Sequence, residues 1–113
     1  MSQNPGIGAN SSSVQPVSTK TALTASAPTN ATVTASSTLI VASNASRKGL
    51  AIINITGNPV SLGFGSNPAV LNSGITLTTI GSVWETSEYD FVTSAVNAIS
   101  SVASNVVSIQ EYQ

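Results

Sequence analysis

The residues with the most scope for chemistry are three carboxylates that lie close together in the chain: Glu85, Glu88 and Asp90. Carboxylate oxygens bind hard cations such as Ca²⁺, and a pair of carboxylates can act as general acid and general base. No EF-hand pattern or other calcium loop surrounds them, so we expect them to line a solvated loop or to pair with Arg47 and Lys48. The sequence therefore predicts neither a metal site nor a bound cofactor.

Aromatic side chains, which could stack on a sugar or a nucleobase, are interleaved with these carboxylates: Trp84, Tyr89 and Phe91. The whole chain has one Trp, two Tyr and two Phe. Because so few large rings are available to fill a core or an interface, we interpret Trp84 and Phe91 as core or interface anchors. A carbohydrate-binding module that uses the three rings is the alternative from another functional class.

Catalysis is disfavoured by the absence of His and Cys. Without them the chain lacks the commonest general base and the Ser-His and Cys-His nucleophile systems. Disulfides and the usual Cys/His zinc sites are excluded as well. Two glycine motifs, at residues 6–8 and 63–65, resemble fragments of phosphate-binding loops but lack the lysine and the helix that such loops need. We therefore expect a protein that is not an enzyme.

Charged residues make up 6% of the chain, whereas a typical domain has about 25%. The net charge of −1 gives little colloidal repulsion, which suits a chain that assembles tightly with copies of itself and a larger partner. Arg47 and Lys48 are the only adjacent basic residues, so we expect no nucleic-acid binding. No apolar run approaches the roughly 20 residues of a membrane span, and the polar start of the chain does not resemble a secretory signal.

The first 30 residues differ from the rest, because they are rich in Ser, Thr, Asn and Pro and poor in large apolar side chains. Such a segment buries too little surface to offset its ordering entropy, so we predict a flexible N-terminal arm over residues 1–30. Its apolar residues Val14, Val17 and Leu23 could add a strand to the sheet edge of a neighbour. Whether the arm orders against a partner is left open.

Residues 31–113 carry the pattern of an all-β domain, with short strands and frequent turns. The predicted strands are residues 33–41, 50–55, 60–64, 75–80, 83–85, 95–99 and 106–109. The second is almost wholly apolar and is expected to be buried on both faces. The third alternates apolar with small residues and is expected to be half-buried, forming a hairpin with the second. This spacing favours a small β-sandwich or jelly roll.

The segment NASRKGLAIINITGNPVSLGFG, residues 44–65, resembles a pattern that recurs in small structural proteins of tailed bacteriophages. In that pattern an SRKG turn leads into an apolar strand, a turn and a strand that ends in Gly-aromatic-Gly. The resemblance extends from residue 33 to about residue 111, although Ser94 stands where the pattern has a glycine. It implies a β-sandwich virion protein of the capsid decoration (cement) or head-fibre type, in which an arm commonly laces across neighbouring subunits.

From this resemblance we expect a decoration protein that binds the outer face of the major capsid protein lattice and stabilises the shell by bridging subunits. The resemblance also implies a homotrimer, located on the outer surface of the virion and made in the host cytoplasm. The alternative within the virion is a head-fibre base or a tail adaptor or spike module. Six residues are expected at interfaces, with Arg47 and Lys48 as charges at the rim: Val14, Val17, Leu23, Arg47, Lys48 and Trp84.

Overall fold

The computed structural model describes residues 22–86 and 92–113, and these residues form eight β-strands and no helix. The strands in chain order are β1 (Thr29–Val33), β2 (Thr38–Val41), β3 (Gly49–Asn54), β4 (Val60–Phe64), β5 (Thr76–Leu77), β6 (Val83–Glu85), β7 (Val96–Ser100) and β8 (Asn105–Tyr112). They are short because Gly, Asn, Pro and Ser interrupt the β-branched runs at turns.

The eight strands form two four-stranded sheets with the orders β1-β8-β3-β6 and β2-β7-β4-β5. Every pairing is antiparallel. The first strand pairs with the last, the second with the seventh, the third with the sixth and the fourth with the fifth. This is the winding of an eight-stranded jelly roll, a long antiparallel ribbon folded over itself into two sheets. The predicted all-β, jelly-roll-like sandwich is confirmed.

The core lies between the two sheets and is built from aliphatic side chains on the inner faces of the strands. Its buried members are Val33, Val41, Leu50, Ile52, Val60, Leu62, Leu77, Val96, Ala98, Val107 and Ile109. Burial alternates along β8, where Asn105, Val107 and Ile109 face inward, because successive side chains of a strand point to opposite faces. Full burial of one Val, Leu or Ile contributes about 1.5–3 kcal/mol, so these positions supply most of the driving force.

The predicted hairpin between the second and third predicted strands is wrong, because β3 and β4 lie in different sheets. The side-chain amide of Asn54, at the end of β3, donates to the Asn58 carbonyl at 2.7 Å and to the Leu77 carbonyl of β5 at 3.0 Å. Gly57, with a φ of 94°, gives the turn a conformation that other residues adopt poorly. The turn therefore carries the chain across the core.

The strand predicted over residues 33–41 is instead divided into β1 and β2. Between them the Thr34 hydroxyl donates to the Ser36 carbonyl and accepts from the Ser36 amide, and the Thr38 hydroxyl donates to the same carbonyl. Hydroxyl side chains compete in this way with the backbone ladder of a sheet. The strand predicted over residues 75–80 is likewise reduced to the two residues of β5.

The predicted boundary between arm and domain, at residue 30, falls inside β1. Hydrogen bonds to the end of β8 begin earlier: the Thr24 amide donates to the Gln113 carbonyl at 2.7 Å, and the Ser26 amide to the Glu111 carbonyl at 2.9 Å. Residues 22–30 thus lie against the sheet, since their backbone groups find partners there that the sequence does not reveal. The rest of the predicted arm lies outside the described residues.

Strand β4 is buried on both faces rather than half-buried as predicted. Its outward residues Ser61 and Gly63 are covered by the loop that follows the strand. The Asn72 amide donates to the Ser61 hydroxyl at 2.8 Å. A Cβ atom at Gly63 would lie 2.7–2.8 Å from backbone atoms of residues 67–69, so this position requires glycine.

We expect Gly63→Ala to lower the free energy of unfolding by about 1–3 kcal/mol, because the loop backbone must move away from the added methyl group. Chemical denaturation measures the change. Gly49→Ala is the matched control, since its Cβ would meet the flexible Tyr112 ring at 3.3 Å. Equal stability of the two variants would contradict the close packing of the loop.

Candidate functional site

The turn that precedes β3 places Arg47 inside the molecule. The Asn44 side-chain oxygen accepts a hydrogen bond from the Ser46 amide at 3.0 Å, and the Asn44 carbonyl accepts one from the Arg47 amide at 3.0 Å. This local bonding is typical of Asn in turns. It directs the Arg47 side chain between the sheets, where its exposed fraction is 0%.

The buried guanidinium of Arg47 makes four hydrogen bonds. Its Nε donates to the Glu111 carboxylate at 2.8 Å, and one terminal nitrogen donates to the Ala42 carbonyl at 2.6 Å. The other terminal nitrogen donates to the carbonyls of Val92 and Ser94, at 3.0 and 2.8 Å. The planar fork of an arginine suits several acceptors at once. One side chain therefore joins the segments at the ends of β2 and β8 with the segment that enters β7.

The prediction that Arg47 is a charge at an interface rim is wrong, because its side chain has no solvent exposure. An ion buried alone would be very costly, and the surrounding acceptors compensate for that cost. The neighbouring Lys48 is exposed, and its predicted role at an interface stays a prediction.

A second buried polar group lies at the other end of β3. The side chains of Asn54 and Asn105 are both 0% exposed, and the Asn105 amide donates to the Asn54 side-chain oxygen at 3.3 Å. That oxygen also accepts from the amides of Thr56 and Gly57. The network fixes the turn after β3, because buried amides must be hydrogen-bonded.

The predicted acidic and aromatic cluster is described only in part. Trp84 faces the core and packs against Phe64 of the other sheet, with ring centroids 5.1 Å apart, whereas its neighbour Glu85 is exposed. Trp84 is thus a packing residue between the sheets, in line with the core part of its interpretation as a core or interface anchor, and its predicted place at an interface stays a prediction. The other members lie outside the described residues: Glu88, Tyr89, Asp90 and Phe91.

The predicted arm residues are also described only in part. Leu23 is 38% exposed, beside the end of β8, while Val14 and Val17 lie outside the described residues. Within residues 22–86 and 92–113, no group of three or more His, Cys, Asp or Glu side chains could hold a metal ion. No helix in this part of the chain is long and apolar enough to cross a membrane.

Exposed aliphatic side chains gather where β3 and β6 meet, a feature that the sequence analysis missed. Ile55, Ile80 and Val83 are 40%, 70% and 47% exposed. Val83 pairs with Ile53 of β3, and Ile80 lies over Gly57. We call Ile55, Ile80 and Val83 the apolar corner.

The expectation that residues 50–55 are buried on both faces is wrong, since Ala51 and Ile53 are half-buried.

Comparison with known proteins gives little further information. No protein-family model and no curated protein matches the chain. A solved structure of Bacillus endospore appendages, described as a novel family of disulfide-linked pili, is similar to it with a TM-score of 0.46 and 15% identity, over 86% of this chain and 97% of that chain.

We expect Arg47→Ala to lower the free energy of unfolding by about 3–5 kcal/mol, because it leaves a carboxylate and three carbonyls without their donor. Denaturant titration measures this loss. Lys48→Ala is the matched control, since the adjacent side chain is exposed and its removal should change stability by less than about 0.5 kcal/mol. Similar values for both variants would mean that the guanidinium does not hold these segments together.

Proposed function

We propose that this chain is a capsid decoration (cement) protein, which binds the outer face of a bacteriophage capsid lattice and stabilises the shell by bridging capsid subunits. The observation that carries the proposal is the surface of the jelly roll, which is poor in charge and exposes several large aliphatic side chains. Of the charged side chains in the described residues, Arg47 is buried and bonded to Glu111, and only Lys48 and Glu85 are exposed. A surface of this kind favours close packing against a partner.

The fold supports the proposal only in combination with this surface, because jelly rolls occur both in viral capsid proteins and in lectins. A sugar-binding site needs exposed rings on which a sugar can stack. Trp84 instead packs against Phe64 between the sheets. The part of the aromatic cluster that the structure describes therefore favours a structural role over the carbohydrate-binding alternative.

Decoration would stabilise a shell by burying surface across the joints between capsid subunits. Apolar area removed from water contributes about 25 cal/mol per Å² before the costs of association. The apolar corner offers such area on one face, and the exposed Leu39 of β2 and Val70 of the loop after β4 offer more, at 57% and 58% exposure. Aliphatic contacts of this kind need no ion pair to form.

The segment that precedes Ala22, residues 1–21, suits a bridging role by its length. Fully extended, it would reach up to about 70 Å, farther than one small domain. The chain enters the domain at residues 22–26, beside the C-terminal Gln113, so the segment would leave from one end of the jelly roll toward a neighbouring subunit.

The number of copies per purified virion tests the proposal. Quantitative mass spectrometry against the major capsid protein should give hundreds of copies, because a decoration protein covers a lattice. About a dozen copies or fewer would instead indicate a head-fibre base or a tail module at one vertex. Absence from the particle would refute a structural role in the virion.

We also expect deletion of residues 1–21 to abolish or weaken capsid occupancy while leaving the melting temperature of the domain unchanged. Co-sedimentation with undecorated capsids and thermal unfolding measure the two effects. Deletion of residues 1–30 is the informative comparison, because it removes the hydrogen bonds to the end of β8 and should also lower the melting temperature. Full occupancy by the shorter deletion variant would refute the bridging role of the segment.

A further inference from the structure

We propose that the edge of β1 that no described strand covers pairs with β1 of a second copy of this chain, antiparallel and about a two-fold axis at Ala31. This contact goes beyond the proposed function and gives a structural form to the self-assembly that the low net charge of the chain favours. It is formed by the isolated protein without a capsid, so each proposal can fail separately.

The four sheet edges differ in how open they are to a further strand. In the second sheet, the edge strand β2 has a register shift between Leu39 and Val41, and β5 has only two residues. In the first sheet, the edge strand β6 has three residues. Proteins commonly blunt their edges by short strands, bulges or charged side chains. Each of these three edges is protected by one of the first two devices.

The remaining edge, β1, has none of these protections within its own five residues, although a register shift of one residue lies just before it, between Ala25 and Thr29. It runs for five residues in unbroken register with β8, from Thr29 opposite Ile109 to Val33 opposite Asn105. Its sequence TNATV contains no charged residue and no proline, and Pro28 directly precedes it. Along its length no other described strand lies on the far side.

The backbone groups that face this open side follow from the hydrogen bonds of β8. The Val106 carbonyl accepts from the Ile55 amide next to β3, whereas the Glu111 and Gln113 carbonyls accept from Ser26 and Thr24. Since alternate residues of an antiparallel strand bond to opposite neighbours, the odd-numbered residues of β8 face β1.

In β1, the partners of these odd-numbered residues are Thr29, Ala31 and Val33. Their amides and carbonyls are therefore directed toward β8. The amides and carbonyls of Asn30 and Thr32 consequently face outward, where they can form the ladder to an added strand.

A second copy of β1 fits this edge because the strand is complementary to itself. Pairing about Ala31 places Asn30 opposite Thr32 of the other copy on the outer face, a polar cross-strand pair. On the inner face it places Thr29 opposite Val33, with the small Ala31 at the axis. No charged side chains of β1 face each other, and the net charge of −1 gives little repulsion between copies.

The contact has a definite consequence for symmetry. Pairing of identical patches generates a two-fold axis and a dimer, and it joins the first sheets of two copies into one continuous sheet. The trimer implied by the phage resemblance would need a different contact. The mass of the isolated protein therefore distinguishes the two arrangements.

Cross-linking tests the register. The chain has no Cys, so Ala31→Cys introduces a single thiol, and the two copies of residue 31 would form a non-hydrogen-bonded pair with Cα atoms about 4.5 Å apart. That spacing permits a disulfide. Oxidation should yield a covalent species of twice the 11.3 kDa chain mass.

Thr78→Cys, at an exposed loop position, is the control for the cross-linking of Ala31→Cys and should remain mostly uncross-linked. Equal cross-linking of both variants would overturn the proposed register.

Proline substitution tests the edge itself. The backbone N–H of residue 30 faces outward, so Asn30→Pro removes no hydrogen bond to β8. The missing N–H blocks the ladder to a second copy. Light scattering of the full chain should show the mass falling from two chains to one, with folding confirmed by circular dichroism. The control variant Asn30→Ala keeps the backbone N–H of residue 30 and should stay dimeric. A wild-type mass of one chain, or of three, or a dimer that Asn30→Pro leaves intact, would overturn the proposal.

Discussion

A guanidinium that is removed from water must find acceptors for its N–H groups, and in this protein the acceptors come from distant parts of the chain. Arg47 bonds to the carbonyl after β2, to two carbonyls before β7 and to a carboxylate near the end of β8. These segments belong to both sheets. The sheets therefore close at this end of the molecule around one side chain, and the approach to β3 is fixed by the same bonds.

The opposite end of β3 is held by the same physical requirement in an uncharged form. The buried side-chain amide of Asn105 donates to the Asn54 side-chain oxygen, and the Asn54 side-chain amide donates to the Asn58 carbonyl in the turn that carries the chain to the second sheet. Between these two polar ends the core is entirely aliphatic apart from the Trp84–Phe64 pair. Small aliphatic side chains pack without directional preference, so the polar contacts at the ends specify which turns connect which strands.

Much of the secondary structure could be predicted from the sequence, since β-branched runs and turn residues mark β3, β4, β7 and β8. The sheet to which each strand belongs could not be predicted, because an inward-facing strand shows the same period of two in either sheet.

The burial of Ser61 and Gly63 could not be predicted either, because small residues in a strand resemble solvent-facing ones and only the folded structure shows the loop that covers them. The burial of Arg47 left one signal: it lies two residues before a buried apolar strand in a chain with three basic residues. The open edge of β1 depends on its pairing with β8, at the far end of the chain, and no local pattern encodes it.

The antiparallel contact between residues 22–33 and the last strand also determines how the molecule responds to mechanical force. Its hydrogen bonds lie perpendicular to the strands, and Thr24 is bonded to Gln113 at the very end of the ladder. A pull on the chain ahead of Ala22, directed along the strand axis, loads all these bonds together in shear. A pull at right angles to the sheet opens them one after another, starting at Gln113. The same joint would thus be strong along one direction and weak along the other, so the orientation of a domain relative to the tension in its surroundings would decide how much load it carries.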